Sequence, residues 1–285
     1  MINRLAIIGV GLIGGSLARA LREAQYVEEI VGFGRSAEHL QQAVELGVID
    51  RACVSISEAV AQADMIVVAV PVGRMPEVFA QLADRVPRSA VLTDVGSVKE
   101  TVITAARASL RDDFPVFVPG HPIAGTEHSG VGASTGDLFQ DHRVILTPVA
   151  ETDPVAVARV EAMWEAAGAI VVNMSAVEHD KVLADCSHLP HLLAYCLVDM
   201  LVRQDDHRTV FEFAAGGFRD FTRIASSDPV MWRDICLANR DAVVNALRQY
   251  RDELGEMIAA IENGDGQWLL ETFRRAKHAR DSHIV

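Results

Sequence analysis

The sequence predicts an α/β domain with a doubly wound parallel sheet, followed by an all-α domain. Two observations lead to this prediction. Over residues 1–173, short apolar runs alternate with segments of helical periodicity, which is the pattern of a parallel sheet with helices on both faces. From residue 174 onward, apolar residues recur at helical spacing and no segment has a convincing strand pattern. We expect domains at 1–173 and 174–285, since 285 residues are enough to bury two cores.

The first strand is predicted at residues 5–8, a continuous apolar run typical of a strand buried on both faces. It leads into three glycines and then a helical pattern. Glycines at this spacing allow a tight turn, a close approach of the backbone to a pyrophosphate, and close packing of the helix on the sheet. Taken alone, three glycines could also form an ordinary strand-to-helix turn. In this context they predict a Rossmann-like dinucleotide site at Gly9, Gly11, Leu12, Ile13 and Gly14.

The remaining elements of this domain follow in alternation. Strands are expected at residues 28–33, 65–71 and 90–94, with helices at 37–46 and 75–86. Residues 118–136 are rich in Gly, Ser and Thr and predict a loop, whereas strands at 144–148 and 169–172 flank a helix at 154–167. Ligands bind at the carboxyl ends of parallel strands, so we expect Val70 and Pro71 to contact the cofactor.

The second domain is predicted to contain helical segments at residues 177–202, 210–225, 229–260 and 267–280. Residues 189–202 are apolar on nearly all sides, which a helix on the surface of a small domain cannot be. We therefore expect this helix to be buried in a homodimer interface. Pro190 lies inside it and predicts a kink.

Composition excludes several classes of protein. A formal net charge of −13 argues against a nucleic-acid surface, since phosphate binding needs clustered Lys and Arg. The four cysteines are scattered and predict thiols in a reducing compartment. There is no uninterrupted run of about 18 apolar residues, and the first strand leaves no room for a signal peptide before it. We expect a cytoplasmic protein that binds neither membrane nor nucleic acid.

The end of the second strand bears on the choice of cofactor. NAD enzymes usually carry an acidic residue there, which binds the ribose hydroxyls. Here Gly34 takes the place expected for the acid, and Arg35 and Ser36 follow it. A 2′-phosphate would be tolerated, so the sequence slightly favours NADP over NAD. The alternative is that Arg35 stacks on the adenine or faces solvent.

Two residues near strand ends could carry chemistry. His121 is flanked by glycines and prolines that hold its loop, and histidine can accept a proton near neutral pH. It is our candidate base, although a loop histidine with a structural hydrogen bond is the alternative. Ser97 could orient a ring nitrogen or the cofactor amide, and it could also cap the helix that begins at residue 98.

The helical half contributes two further pairs. His188 and His191 share one face of a helix, but no obvious third and fourth ligand accompanies them, so we expect no metal. Arg219 and Arg223 also share a face and lie among apolar residues, which favours a partly buried site that grips a carboxylate. Ordinary surface salt bridges are the alternative for the two arginines.

Five motifs together resemble the prephenate dehydrogenase family, including its arogenate-using and cyclohexadienyl members. They are the glycine turn at 9–16, Asp-Val-Gly-Ser-Val-Lys at 94–99, Gly-His-Pro-Ile-Ala-Gly-Thr-Glu at 120–127, Ser-His-Leu-Pro-His at 187–191, and the stretch at 217–234 that begins Gly-Phe-Arg-Asp-Phe-Thr-Arg. The resemblance covers nearly the whole chain. It implies oxidative decarboxylation of prephenate or arogenate, with hydride transfer to NAD(P), in tyrosine biosynthesis.

The resemblance also implies roles for single residues. His121 would accept the proton of the C4 hydroxyl of the substrate ring, Ser97 would orient that histidine, and Arg223 would bind a substrate carboxylate. We also expect His188 and His191 at the substrate pocket. Arg219 and Glu127 are expected there too, at positions that gate it.

Two other functions stay open at this point. A 3-hydroxyacid dehydrogenase has a similar layout and would use a lysine on the first long helix of the second domain. Lys181 is in that position, but Asp185 stands where such an enzyme would have asparagine. A non-catalytic nucleotide-sensing dimer would keep the fold without turnover, and the presence of His121, Ser97 and Arg223 argues against it.

Overall fold

A computed structural model describes residues 1–126, 128–205 and 207–283. The chain divides into two compact units, Met1–Arg240 and Asp241–Val285. Helices between residues 176 and 238 therefore belong to the same compact unit as the sheets. Within the described residues, no helix combines the length and the apolar character that crossing a membrane requires.

The first unit is built on a six-stranded parallel sheet, which confirms the predicted fold class. Its strands are β1 (Ile2–Ile8), β2 (Val27–Phe33), β3 (Arg51–Ala52), β4 (Met65–Val68), β5 (Val91–Asp94) and β6 (Phe117–Val118). They lie in the order β3-β2-β1-β4-β5-β6, so the chain reverses direction across the sheet after β3. Such a reversal leaves a crevice at the carboxyl ends of the central strands, where ligands bind.

Helices cover both faces of this sheet. They are α1 (Leu12–Glu23), α2 (Ala37–Glu45), α3 (Ile56–Val60), α4 (Met75–Leu82) and α5 (Glu100–Leu110). Alternate residues of β1 enter different cores: Leu5 packs with α1 and α2, whereas Ala6 packs with α3, α4 and α5. Because successive side chains of a strand point to opposite faces, the continuous apolar run at 5–8 fills both cores.

A second, three-stranded sheet joins β7 (Gly120–Pro122), β8 (Arg143–Leu146) and β9 (Ile170–Asn173). β7 pairs antiparallel with β8, and His121 lies opposite Ile145. Helix α6 (Pro154–Ala166) connects β8 to β9. The prediction of a loop over 118–136 was therefore wrong for its first residues. A three-residue strand that contains Gly and Pro has no alternating pattern to reveal it.

The helices that follow are shorter than predicted. The segment expected at 177–202 is divided into α7 (Ala176–Leu183), a π-helical turn (Ala184–His188) and α8 (Leu189–Val202). Pro190 falls in the first turn of α8, directly after the π turn. Next come α9 (His207–Glu212), α10 (Gly216–Thr222) and α11 (Pro229–Ala238). The helix expected at 229–260 ends at Asn239, which separates α11 from the next helix.

The second unit consists of most of α12 (Arg240–Glu262) together with α13 (Gly266–His283). Several large apolar side chains on these two helices are exposed in the single chain, among them Leu254, Ile258, Ile261, Leu270 and Phe273. Helix α8 has a similar character. Ala194 is its buried residue, while Met200 and Val202 are 46% and 50% exposed.

Candidate active site

The turn between β1 and α1 has the shape that a pyrophosphate requires. Gly9 has a φ of +104°, and a Cβ there would lie 2.5 Å from the carbonyl oxygen of Ala69. A Cβ on Gly14 would lie 2.5 Å from the carbonyl oxygen of Gly9. By contrast, a Cβ on Gly11 would meet nothing within 4 Å. Two glycines are therefore needed for the turn itself, and the third keeps the space above it open.

A cavity of about 600 Å³ opens from this turn along the carboxyl ends of β1, β2 and β4. Residues from all three strand ends line it, including the predicted cofactor residues Gly9, Gly11, Arg35, Ser36, Val70 and Pro71. Two further basic side chains, His39 and Arg74, also line it. The glycine cradle and the cavity at the switch point of the sheet fit a dinucleotide, which the described residues would hold through backbone N–H groups and these side chains.

His121 lies on β7 and is 9% exposed. Its Nδ1 is 2.8 Å from Nε2 of His179, and Nδ1 of His179 is 2.7 Å from a carboxylate oxygen of Asp180. A carboxylate accepts, so His179 donates from Nδ1 and its Nε2 accepts from Nδ1 of His121. This hydrogen-bond order assigns the proton of the neutral His121 ring to Nδ1 and leaves the lone pair of Nε2 available as a base.

Asp180 is held in place by the start of α5. Its two carboxylate oxygens accept the backbone N–H groups of Lys99 at 2.8 Å and Glu100 at 2.9 Å. Backbone donors of this kind stabilise a carboxylate. The first N–H groups of α5 are thus capped by Asp180, and the alternative in which Ser97 caps this helix was wrong. Ser97 is half-buried at the end of β5.

The environment of His121 favours its neutral form. Burial lowers the pKa of His121 well below its ordinary value, and nearby His179 and Lys99 lower it further. Burial also lowers the pKa of His179, although its hydrogen bond to Asp180 opposes this shift. A neutral imidazole can accept a proton, so the histidine is held in the state that a general base needs.

His188 is packed inside the protein, being 1% exposed. Its Nδ1 lies 3.2 Å from the side-chain nitrogen of Asn239, which also donates to the carbonyl oxygen of Asp180 at 2.8 Å. Burial lowers the pKa of His188 from 6.5 to about 4. The structure therefore buries this predicted substrate-binding residue and connects it to the Asp180 segment through Asn239.

His191 lies on α8 and stacks on the indole of Trp232, with ring centroids 3.8 Å apart and an angle of 23° between the planes. Its Nδ1 donates to the carbonyl oxygen of Ser187 at 2.9 Å, which leaves Nε2 as an acceptor. Burial lowers the pKa of His191, and the positive charge of Arg223 lowers it too. His191 and Arg223 are therefore close enough to interact electrostatically.

Arg219 and Arg223 are both exposed in the single chain, which differs from the partly buried setting that we expected. Arg219 lies in α10, and Arg223 begins the short 3₁₀ segment Arg223–Ser226 that contacts α8. Neither α10 nor this 3₁₀ segment has a buried residue in the single chain. The remaining predicted site residue, Glu127, lies outside the described residues.

Several residues that the structure brings to the site have no distinguishing pattern in the sequence. His179, Asp180 and Asn239 carry no motif that sets them apart, because their significance comes from contacts between distant segments. Asp94 and Lys99 belong to the Asp-Val-Gly-Ser-Val-Lys motif at 94–99, in which the sequence pattern suggested a role only for Ser97. Lys181, the residue that a 3-hydroxyacid dehydrogenase would use, is exposed on α7. Its neighbours His179 and Asp180 are buried, as is Leu183 on the same helix.

Removal of a hydride from a carbon that bears a hydroxyl requires a bound dinucleotide and a base. The glycine turn can bind the dinucleotide, and the buried neutral histidine can accept the proton. Fold and site thus define a nicotinamide-dependent oxidoreductase with an added helical region. The chain belongs to the prephenate dehydrogenase family. The nucleotide-binding domain of prephenate dehydrogenase matches residues 17–173, and the dimerization domain of the same family matches residues 175–275.

Individual relatives agree with this assignment. The cyclohexadienyl dehydrogenase of Zymomonas mobilis is 39% identical over 98% of this chain and 95% of its own length. The crystal structure of Aquifex aeolicus prephenate dehydrogenase with hydroxyphenyl propionate and NAD⁺ is 36% identical, covers 98% of both chains and superposes with a TM-score of 0.92. Synechocystis arogenate dehydrogenase is 27% identical, covers 99% of this chain and 100% of its own, and superposes with a TM-score of 0.82.

Proposed function

We propose that this protein oxidatively decarboxylates prephenate or arogenate with hydride transfer to NAD(P)⁺, as a step of tyrosine biosynthesis. The observation that carries the proposal is the hydrogen-bond order from Asp180 through His179 to His121, which leaves a basic nitrogen on a buried ring. A bound nicotinamide would supply the hydride acceptor. Every other requirement of the reaction falls to side chains of this chain.

His121 acts on the hydroxyl at C4 of the substrate ring. As hydride leaves C4, the C–C bond to the ring carboxylate breaks and its electron pair enters the ring, releasing carbon dioxide. Nε2 of His121 accepts the hydroxyl proton while positive charge develops on this carbon and oxygen, and the proton returns to the phenol oxygen of the aromatic product. His179 and Asp180 hold the ring so that Nε2 faces the hydroxyl.

The substrate carboxylates need cationic partners in a protein whose net charge is −13. We assign this role to Arg223, with Arg219 on the preceding helix as a second cation and Glu127 as a gating residue. His191 contributes from α8, where Trp232 fixes its ring and Ser187 leaves Nε2 free to accept. His188 supports the Asp180 segment through Asn239, and we assign Ser97, which follows β5, to orienting His121 or the cofactor amide.

The activity is tested by supplying the purified protein with prephenate or arogenate and with NAD⁺ or NADP⁺. The absorbance of the reduced nicotinamide and the released carbon dioxide are followed together. We expect equal amounts of both products with at least one substrate. Reduction without carbon dioxide would indicate an ordinary alcohol oxidation, and no reduction with either substrate would refute the proposal.

The cavity favours NADP slightly over NAD. The end of β2 offers Gly34 where an acid would bind the ribose, and Arg35 and Ser36 border the same cavity. Ser36 caps α2 by accepting the N–H of His39 at 3.2 Å, so the positive end of that helix faces the cavity. A 2′-phosphate would meet the start of this helix and the Arg35 guanidinium, whereas Glu77, an acidic residue of the cavity lining, is paired with Arg74.

We also infer that the protein is a homodimer. Helix α8 is apolar on nearly all sides, yet Ala194 is its buried residue in the single chain. The exposed side chains of Cys196 and Met200 lie one turn apart and share a face that a second copy could cover. Measurement of the mass in solution, with Met200→Asp as the disrupting variant, tests this inference. A monomeric wild-type protein would contradict it.

A further inference from the structure

A buried ion pair lies directly behind the strand that carries His121. Lys99 and Asp94 are both 0% exposed. The Lys99 ammonium contacts a carboxylate oxygen of Asp94 at 2.6 Å and donates to the carbonyl oxygen of Gly120 at the same distance. The other carboxylate oxygen of Asp94 accepts the N–H of Gly120 at 3.1 Å. Both polar backbone groups of the residue before His121 are thus held by this pair.

The same pair is connected to the other side of His121. The backbone N–H of Lys99 is bound by Asp180, which in turn binds His179, the partner of His121. The contacts form a closed ring: the Lys99 side chain holds Gly120, and the Lys99 backbone holds the carboxylate at the end of the histidine chain. A Cβ on Gly120 would lie 3.0 Å from the carbonyl oxygen of Asp94, so β7 sits tightly against the end of β5.

Stability alone is a weak explanation for such a pair. Removing two charges from water costs free energy that their attraction only partly offsets, and apolar residues of similar volume often replace buried pairs without loss. Here each side-chain hydrogen bond of the pair that reaches another segment ends on Gly120. The second bond of Asp94 to the backbone, to Gly96, stays within its own turn.

We propose that Lys99 and Asp94 are positioning residues for His121: they fix the backbone that carries the imidazole, and the ammonium disfavours a second positive charge on the ring. The inference rests on the proposed function for the role of His121 as base. The electrostatic part follows from geometry. The Lys99 ammonium binds the carbonyl oxygen of Gly120, the residue before His121, and a nearby cation opposes protonation of an imidazole. The direction agrees with the lowering of the His121 pKa by Lys99.

The test uses Lys99→Met and the double variant Asp94→Asn/Lys99→Met, with Lys181→Met as the matched control on an exposed lysine. Lys99→Met leaves the buried carboxylate of Asp94 without its cation, which can prevent folding. The double variant removes that carboxylate charge as well, so it replaces Lys99→Met in the test if the single variant fails to fold. In each protein the histidine-ring NMR signal that disappears in His121→Asn is titrated with pH. The dependence of kcat/KM on pH is then measured with the substrate that the wild-type protein turns over.

We expect the pKa of His121 to be higher in both Lys99 variants than in the wild type, and the acid limb of kcat/KM to move with it. kcat should fall roughly 10- to 100-fold, with a much smaller change in KM, because the base is displaced while the substrate pocket is intact. Lys181→Met should match the wild type in every measurement.

An unchanged His121 titration in the Lys99 variants would overturn the proposal, as would loss of thermal stability with normal kcat. The NMR titration needs no turnover. If the wild type oxidises neither substrate, the proposed function fails, and the titration still decides whether Lys99 sets the proton affinity of His121.

Discussion

Nδ1 of His121 lies 2.8 Å from Nε2 of His179, and this contact is what turns the second histidine into a support for the first. Removing it should leave the His121 ring free to rotate and to exchange its tautomer. We expect His179→Leu to lower kcat by roughly 10- to 100-fold, the usual effect of losing a partner that orients a functional histidine. KM for substrate should change much less. Steady-state kinetics test this, and a loss confined to KM would contradict it.

Arg223 gives a second prediction, which concerns substrate affinity. Its guanidinium can grip a carboxylate with two parallel hydrogen bonds, and alanine would leave that carboxylate poorly paired. We expect Arg223→Ala to cost about 2 kcal/mol or more of binding, which is a rise in KM of roughly 30-fold. Arg223→Lys keeps the charge without the fork and should lie between alanine and wild type. A normal KM in Arg223→Ala would exclude this residue from the carboxylate site.

The cofactor preference is tested at the end of β2. Gly34→Asp introduces the acid that the sequence lacks, which would repel a 2′-phosphate and bind ribose hydroxyls. We expect the ratio of kcat/KM for NADP to that for NAD to fall at least tenfold, the effect of about 1.4 kcal/mol. Arg35→Ala should lower the same ratio by removing a cation. If both variants leave the ratio unchanged, residues other than Gly34 and Arg35 determine the preference at the 2′ position.

The four histidines of the site predict how stability depends on pH. Burial lowers the pKa of His121, His179, His188 and His191 in the folded protein. The unfolded chain therefore binds more protons than the folded one below the ordinary histidine pKa of about 6.5, so the free energy of unfolding falls as the pH is lowered. For His188, whose folded pKa is about 4, the loss reaches about 3 kcal/mol by pH 4.

Urea unfolding between pH 7 and pH 4 measures this dependence. His188→Gln cannot titrate at this position and should show a shallower loss of stability than the wild type. Equal slopes in His188→Gln and the wild type would show that burial of His188 does not govern acid unfolding.

The parts of the molecule that local sequence determines could be predicted, and the parts that depend on distant contacts could not. The turn at Gly9 and Gly14 follows from a short motif, and the helices and strands of the parallel sheet follow from periodicity. Strand β7 was missed because it is three residues long and held by pairing with β8. His179 was missed because an inward-facing histidine on α7 looks like any other helical residue until Asp180 and His121 are placed around it.

The exposure of Arg219 and Arg223 also could not be predicted from neighbouring residues in the sequence. Their apolar neighbours in the sequence suggested a buried pair, but α10 buries none of its residues in the single chain. Local composition describes only which side chains are near one another in the sequence. Burial depends on whether other segments of the chain, or a second copy of it, cover those side chains.

His121 is the proposed base of the reaction, and a comparison of turnover and cofactor affinity in the wild type and in His121→Asn tests this role. Asparagine is similar in size to histidine but cannot accept the proton. We predict that turnover falls by roughly 100- to 10,000-fold while the dissociation constant of the cofactor stays unchanged. Turnover close to that of the wild type, with the cofactor bound normally, would show that His121 is not the base.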